Sequence, residues 1–169
     1  MHQYTLIDPV TGEQTFLSDE TLTRSLRQNC ILLRDEEHIG IIAYQDLVAF
    51  IRWCAGEMLA KVKGTPAPET QHALTLVDRW LEDELNITSK ELKAAAEASF
   101  TADAAAWAAW AAAWAAHGAT AARDDADWAA QVAARAAQAA AGAARDAEGR
   151  GLSYESQAQW FVEHLKPGQ

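Results

Sequence analysis

The first 43 residues carry short aliphatic runs interrupted by turn residues, whereas the rest of the chain repeats apolar residues at helical spacing. Tyr4–Ile7 and Glu13–Leu17 flank the segment Asp8–Gly12. Proline presets φ for a turn and glycine accepts positive φ, so Pro9 and Gly12 favour a reversal of the chain here. These residues predict a β-hairpin.

A second hairpin and a short helix are predicted in the same N-terminal segment. Cys30–Leu33 and Ile39–Ala43 are aliphatic runs, and the charged stretch Arg34–His38 between them is expected to form their loop. Ser18 is placed to cap a helix that extends to about Gln28. An isolated two-stranded hairpin is marginal in water, so we expect further pairing or helix packing. Periodicity leaves open whether the two hairpins share one sheet.

Helical spacing begins with a predicted helix over residues 45–63. Gly64–Pro68 then ends this helix and begins another, because glycine is common after a helix and proline in a first turn. We expect a boundary here between a small α+β segment, residues 1–63, and an alanine- and tryptophan-rich helical bundle, residues 64–169. The helix after the boundary carries its apolar face at Leu74, Val77, Leu81 and Leu85.

Alanine and tryptophan dominate the two helices predicted next, over residues 88–117 and about 123–147. Thr88 and Glu91 form a capping box at the start of the first. Its three indoles and one aspartate fall within a sector of roughly 80° on the helical wheel. We expect this stripe to lie in the core, with one tryptophan from the second helix. The expected core residues are Trp107, Trp110, Trp114, Trp128 and Asp103.

A last helix is predicted after Ser153, with Tyr154, Ala158, Phe161 and Leu165 in register and Trp160 beside them. Alanine faces let helix axes approach to about 8 Å, and tryptophans fill the gaps that alanine leaves. The fold class is therefore expected to be mainly α: a C-terminal antiparallel helical bundle, preceded by a small α+β segment of two hairpins and a short helix.

The charge balance points to a basic partner. Lys and Arg total 14 against 24 Asp and Glu, for a formal charge of −10. Nucleic acids and anionic membranes are bound through clustered Lys and Arg, so we expect direct binding to neither. An acidic surface suits a basic protein, including one that itself binds nucleic acid, and it also favours solubility.

Cysteine usage and hydropathy indicate a cytoplasmic protein. Cys30 and Cys54 form no CxxC pair, and Cys54 falls on the apolar face of a predicted helix, as expected of reduced thiols. The sequence does not open on a basic and apolar secretory leader. The run 104–116 is too short and too weakly apolar for a membrane span, which needs ~20 residues.

Few residues suggest catalysis. The sequence contains no GxSxG, P-loop, GxGxxG or HExxH motif. Glu69 and His72 have the spacing of metal ligands on one helical face, but a di-iron bundle needs a second copy and further glutamates, so we expect no metal and no cofactor. Asp103 has three possible roles: a hydrogen-bonded core group, a partner contact, or a buried catalytic acid with a raised pKa. The tryptophan stripe could line a cofactor pocket, but core packing is favoured.

Part of the chain resembles a known family. The stretch ALTLVDRWLEDEL at 73–85, the capped TSKELKAAAEA from Thr88, and the alanine helices to Ala147 are similar to the alanine-rich helical domain of Imm-5-like immunity proteins and of related phage and bacterial inhibitor proteins. This resemblance implies a small cytosolic protein that binds and neutralises another protein. It does not extend to residues 1–63 and carries no functional residue onto this sequence.

The leading hypothesis is an acidic, non-enzymatic inhibitory binding protein, with an immunity or anti-CRISPR-like anti-defence role against a toxin or a nucleic-acid-binding defence complex. Two alternatives stay open: a structural or regulatory helical oligomerisation module, and an enzyme that uses Asp103. The expected partner contacts are three acidic clusters: Asp78, Glu82, Asp83 and Glu84 on one helix, Asp124, Asp125 and Asp127 on another, and Asp35, Glu36 and Glu37 on the hairpin loop.

Overall fold

The structure is a computed structural model that describes residues 2–61, 65, 67–83, 87–100 and 153–165. The predicted tryptophan stripe and the second alanine helix lie outside these residues. That holds for each of the predicted core residues Trp107, Trp110, Trp114, Trp128 and Asp103.

Within the described residues, a four-stranded antiparallel sheet with a short helix is followed by further helices. The mainly helical α+β class is therefore confirmed. The elements in chain order are β1 (Tyr4–Ile7), β2 (Gln14–Leu17), α1 (Asp19–Ser25), β3 (Ile31–Arg34), β4 (Glu37–Ile41), α2 (Tyr44–Lys61), α3 (Pro68–Glu82), α4 (Ser89–Phe100) and α5 (Tyr154–His164).

The two hairpins join into one sheet through their first strands. The strand order is β2-β1-β3-β4, with every neighbouring pair antiparallel. Leu6 lies opposite Leu32 and Ile7 opposite Ile31 in the central pair. Because side chains alternate across a strand, this register places Leu6 and Leu32 on the buried inner face and the two isoleucines on the outer face.

The predicted first turn is confirmed in detail. Gly12 has a φ of +72°, and its N–H donates to the Asp8 carbonyl at 2.8 Å. The Asp8 carboxylate accepts from the backbone N–H groups of Val10 at 2.8 Å and Thr11 at 3.2 Å. These two hydrogen bonds lower the pKa of Asp8, since they favour its charged form.

The predicted loop of the second hairpin is wrong. In place of the five residues Arg34–His38, the chain reverses through Asp35 and Glu36 alone, and β4 begins at Glu37. The φ angles of Asp35 and Glu36 are 50° and 70°, which is the left-handed geometry that matches strand twist in two-residue hairpins. Asparagine and glycine usually occupy these positions, so an Asp-Glu pair gives little sign of the turn.

Side-chain caps fix the helix starts that the sequence predicts. Ser18 and Thr21 cap α1 reciprocally, although α1 ends at Ser25 rather than near Gln28. The predicted box at α4 is present: the Thr88 N–H donates to Glu91 Oε2 at 2.9 Å and the Glu91 N–H donates to Thr88 Oγ1 at 3.2 Å. The hydroxyl and N–H of Thr88 lower the pKa of Glu91.

One hydrophobic core draws on both sides of the predicted boundary at Gly64–Pro68. It includes the inner sheet face, α1, α2, α3, α4 and α5. Phe50 of α2 and Phe161 of α5 are almost fully buried and meet edge to face, with ring centroids 5.6 Å apart. The division into residues 1–63 and 64–169 stays a prediction, while packing makes α5 a neighbour of α1 and α2.

The left-handed residue Glu36 offers a test of the observed turn. A side chain with positive φ costs roughly 1–2 kcal/mol relative to the right-handed region, and glycine avoids most of that cost. We expect Glu36→Gly to raise the free energy of unfolding by about 1 kcal/mol in urea denaturation.

Glu37→Gly is the matched control, because Glu37 is the first residue of β4 and glycine weakens a strand. That variant should lower the free energy of unfolding. Equal effects of the two substitutions would show that the turn is not placed at Asp35 and Glu36.

Candidate functional site

A polar cleft lies between the β1 and β3 side of the sheet and the helices α1 and α5. Its volume is about 160 Å³. Side chains that carry hydrogen-bonding or charged groups line it: His2, Tyr4, Asp19, Arg34, Glu155, Gln159 and Glu163. Three carboxylates and one guanidinium thus face a space of the size that one side chain fills.

Tyr4 forms the floor of this cleft. Strand alternation turns it inward with Leu6, so it is only 2 % exposed. Its hydroxyl donates to Asp19 Oδ1 at 3.0 Å. Burial raises the pKa of Tyr4 most, and the Asp19 carboxylate raises it further, since both oppose a phenolate.

Asp35 ties the N-terminal residues to the second turn. Its Oδ2 lies 2.7 Å from His2 Nδ1, and its Oδ1 accepts from the Gln3 backbone N–H at 3.0 Å. These two donors lower the pKa of Asp35. Asp35, predicted as a partner contact, therefore already serves an intramolecular role at an exposed position.

Three of the residues that line the cleft, Glu155, Gln159 and Glu163, belong to α5. Glu155 and Glu163 are exposed, and Glu163 Oε1 accepts from Gln159 Nε2 at 2.9 Å. Together with Asp19 they outnumber Arg34, the guanidinium of the same lining, and this excess of carboxylates is suited to a cationic side chain. Within the described residues, no group of three or more His, Cys, Asp or Glu is placed to hold a metal ion.

Asp78, predicted as a partner contact, is paired within the chain. Arg52 of α2 donates from Nε to Asp78 Oδ1 at 2.8 Å and from Nη2 to Oδ2 at 2.9 Å. This two-pronged contact joins α2 to α3. The side chain of Asp78 remains 48 % exposed. The pairing gives this carboxylate a role in packing that its place in an acidic run does not reveal.

The remaining predicted contacts are divided among several places. Glu82 and Asp83 are exposed at the end of α3, whereas Glu36 is in the second turn and Glu37 begins β4. In each of the two clusters that have described members, one carboxylate is engaged within the chain, Asp78 with Arg52 and Asp35 with His2 and Gln3. The other predicted contacts lie outside the described residues: Glu84, Asp124, Asp125 and Asp127.

A column of stacked rings, which the sequence analysis did not identify, joins α2 and α5 at the surface. Trp160 stacks on Trp53 at 4.9 Å between ring centroids, and His164 stacks on Trp160 at 4.2 Å. His164 Nδ1 lies 2.8 Å from the Trp160 carbonyl, so the histidine ring is held in place as well. Only helical spacing within α5 links Trp160 to His164, and no sequence signal links them to Trp53.

Two further candidates for chemistry lie within the described residues: the two thiols, and the pair Glu69 and His72. Cys30 and Cys54 are unpaired and buried, and burial raises the pKa of both thiols. A thiol must lose its proton to act as a nucleophile, so neither is activated at neutral pH. Glu69 and His72 are both exposed in the first half of α3.

None of the helices in the described part of the chain is long and apolar enough to cross a membrane.

Comparison with protein-family models, with curated proteins and with solved structures gives no match for this chain. The resemblance of residues 73–147 to Imm-5-like immunity proteins thus stays a prediction. The function proposed below is argued from charge, burial and geometry.

The Arg52–Asp78 pair is open to a double-mutant cycle. Because Asp78 is half exposed, solvent screening limits the pair, and we expect Arg52→Ala and Asp78→Ala to be coupled by about 0.5–1 kcal/mol in the free energy of unfolding. A cycle between Arg52→Ala and Glu82→Ala serves as the control and should be additive. Additivity of the first cycle would contradict a stabilising contact between α2 and α3 at this point.

Alkaline titration tests the environment of Tyr4. The pKa of a free tyrosine is about 10, and the folded chain holds the Tyr4 proton to higher pH, so the stability that Tyr4 contributes is present below about pH 10 and is lost above it. Tyr4→Phe should make the fall of the unfolding free energy above that pH shallower by up to ~1.4 kcal/mol per pH unit.

Asp19→Asn should leave the onset of this fall near pH 10, which the unfolded chain sets, and end the fall at a lower pH, because it removes the neighbouring charge that opposes the phenolate. If the unfolding free energy of Tyr4→Phe falls with pH as steeply as that of the unmodified chain, the pKa of Tyr4 is not raised in the folded chain.

Proposed function

We propose that this chain is an acidic, non-enzymatic inhibitor that acts by binding a basic protein. In this proposal the partner is a toxin or a nucleic-acid-binding defence complex, and the role is that of a cytoplasmic immunity or anti-CRISPR-like protein. The carboxylates of the chain occupy the cationic surface of the partner, which competes with the anion that this surface would otherwise bind.

The observation that carries the proposal is the presentation of carboxylates on separate elements of an acidic chain. The formal charge is −10. Glu36 and Glu37 project at the second hairpin, Glu82 at the end of α3, and Glu155 in the lining of the polar cleft, all exposed. A negative electrostatic potential that extends over several helices and turns of the chain accelerates its association with a positively charged surface.

The polar cleft supports recognition of an individual cationic side chain. Asp19 is held in place by the Tyr4 hydroxyl, so one carboxylate of the cleft is fixed before any ligand arrives. Fixed acceptors lose little conformational freedom on binding, which favours affinity. Lysine and arginine both offer several N–H donors to such a group.

The raised pKa values of three buried groups argue against the use of these groups as a base or a nucleophile. A general base works best with a pKa near the ambient pH, and a thiol nucleophile requires its thiolate. Tyr4, Cys30 and Cys54 all have raised pKa values and stay protonated at neutral pH. Among the described residues, these groups are suited to packing and hydrogen bonding.

The proposal is tested by identifying the partner and then measuring association rates. The full chain, immobilised at low salt, should retain a basic protein from bacterial lysate whose release increases with salt. With that protein purified, Glu36→Lys/Glu37→Lys and Glu82→Lys should each slow association, by about tenfold for the double reversal at low salt. The purified complex should also lack the activity of the free partner.

Lys90→Glu provides the converse control, since it adds negative charge on α4 and should not slow association. Retention of neutral or acidic proteins, association rates that ignore salt, or a partner that stays fully active in the complex would each contradict the proposal.

A further inference from the structure

The outer face of the sheet carries two rows of apolar side chains beside the polar residues Thr5, Gln14 and His38, and the described helices pack on the opposite side. Two rows cross the strands: Ile7, Ile31 and Ile41 lie opposite one another, and Phe16 and Leu33 both lie opposite Thr5. Phe16 is 78 % exposed and Ile41 is 50 % exposed, whereas Ile7, Ile31 and Leu33 are half-buried. Single exposed apolar residues are ordinary, but a contiguous row of them marks a site of interaction.

The dimensions of this face match one helix. Neighbouring strands are ~4.8 Å apart, so the isoleucine row from β1 to β4 spans roughly 10 Å. A helix with its side chains is about 10–12 Å across. Side chains at i, i+3, i+4 and i+7 of an amphipathic helix form a stripe that can pack between the isoleucine row and the row of Phe16 and Leu33.

The charges around the face indicate which helix fits. Arg34 is the only lysine or arginine in the four strands, and its register opposite Tyr4 places it on the inner face. Exposed glutamates stand at both ends of the sheet, Glu13 at the first hairpin and Glu36 at the second. A second copy of this chain, itself at −10, meets repulsion here, whereas a helix flanked by lysine and arginine is attracted.

We propose that the outer sheet face, defined by Ile7, Phe16, Ile31, Leu33 and Ile41, is the docking surface for an amphipathic basic helix of the protein partner. The apolar stripe of that helix packs on the two rows, and its flanking cations reach the glutamates at the two turns. This inference rests on the proposed function, because it requires a basic protein partner, and it assigns that partner a specific surface of the chain.

A synthetic helical peptide is the probe, with a leucine stripe at i, i+3, i+4 and i+7 and lysine at its other positions. Titrated into the isotope-labelled full chain, it should bind saturably with one peptide per chain and shift the amide signals of β1, β3 and β4. Phe16→Ser/Ile41→Ser should weaken binding at least tenfold. A twin peptide with glutamate for lysine, and one of the same composition without the stripe, should not bind.

Val10 provides the matched control variant. It is 91 % exposed, but it lies in the first turn rather than in a strand. Val10→Ser removes an exposed apolar side chain and should change the affinity for the peptide by less than twofold. Thermal melts of all variants should coincide with that of the unmodified chain, since the substituted side chains are exposed.

Several results would overturn the proposal. One is peptide binding that shifts the signals of α3 or of the polar cleft and is unaffected by Phe16→Ser/Ile41→Ser. Another is self-association, dependent on concentration and lost in that variant, which would assign the face to a second copy. A third is carbene labelling that finds Phe16 and Ile41 already covered in the monomer, which would assign the face to the chain itself.

The failure of this inference is distinguishable from that of the proposed function. If Phe16→Ser/Ile41→Ser still retains and inhibits the basic partner as the unmodified chain does, the docking surface is wrong and the inhibitory role stands. If the unmodified chain retains no basic protein, the inhibitory role fails irrespective of the peptide result.

Discussion

The pairing of β1 with β3 is the interaction on which the rest of the structure depends. Each hairpin alone would be marginal in water, and this central ladder turns two of them into a four-stranded sheet. It also sets which side chains face inward, because a slip of one residue would exchange the two faces. Tyr4 reaches Asp19, and Ile7 stays outside, only in the observed register.

The sheet separates an inner face, which contributes to the hydrophobic core, from an outer face that no described helix covers. The inner face packs on helices, with Leu22 of α1 and Phe50 of α2 fully buried. Among the described residues, Glu37 is the single carboxylate within the strands, and the others lie in the turns, in the helices or at helix ends. An apolar face bordered by negative charge combines contact area with long-range attraction, which are separate requirements of specific association.

The sequence predicts what is local and misses what is distant. The first turn and the caps at Ser18 and Thr88 depend on residues within a few positions, so their residue types reveal them. The turn at Asp35 and Glu36 is equally local, but it uses residues that rarely adopt positive φ. The Arg52–Asp78 pair and the contact between Tyr4 and Asp19 join residues 26 and 15 positions apart, and no periodicity encodes such distances.

Because α5 belongs to the core and follows the other described elements in the chain, the core cannot be completed until α5 has been synthesised. Phe50 of α2 is made early, and its ring partner Phe161 is added only 111 residues later, which takes about 6–22 s at the usual rate of synthesis. During that interval α2 can pack on α3 but not yet on α5. A chain that stops before residue 153 lacks this partner of Phe50, and we expect it to be less stable than the full chain because part of its core is missing.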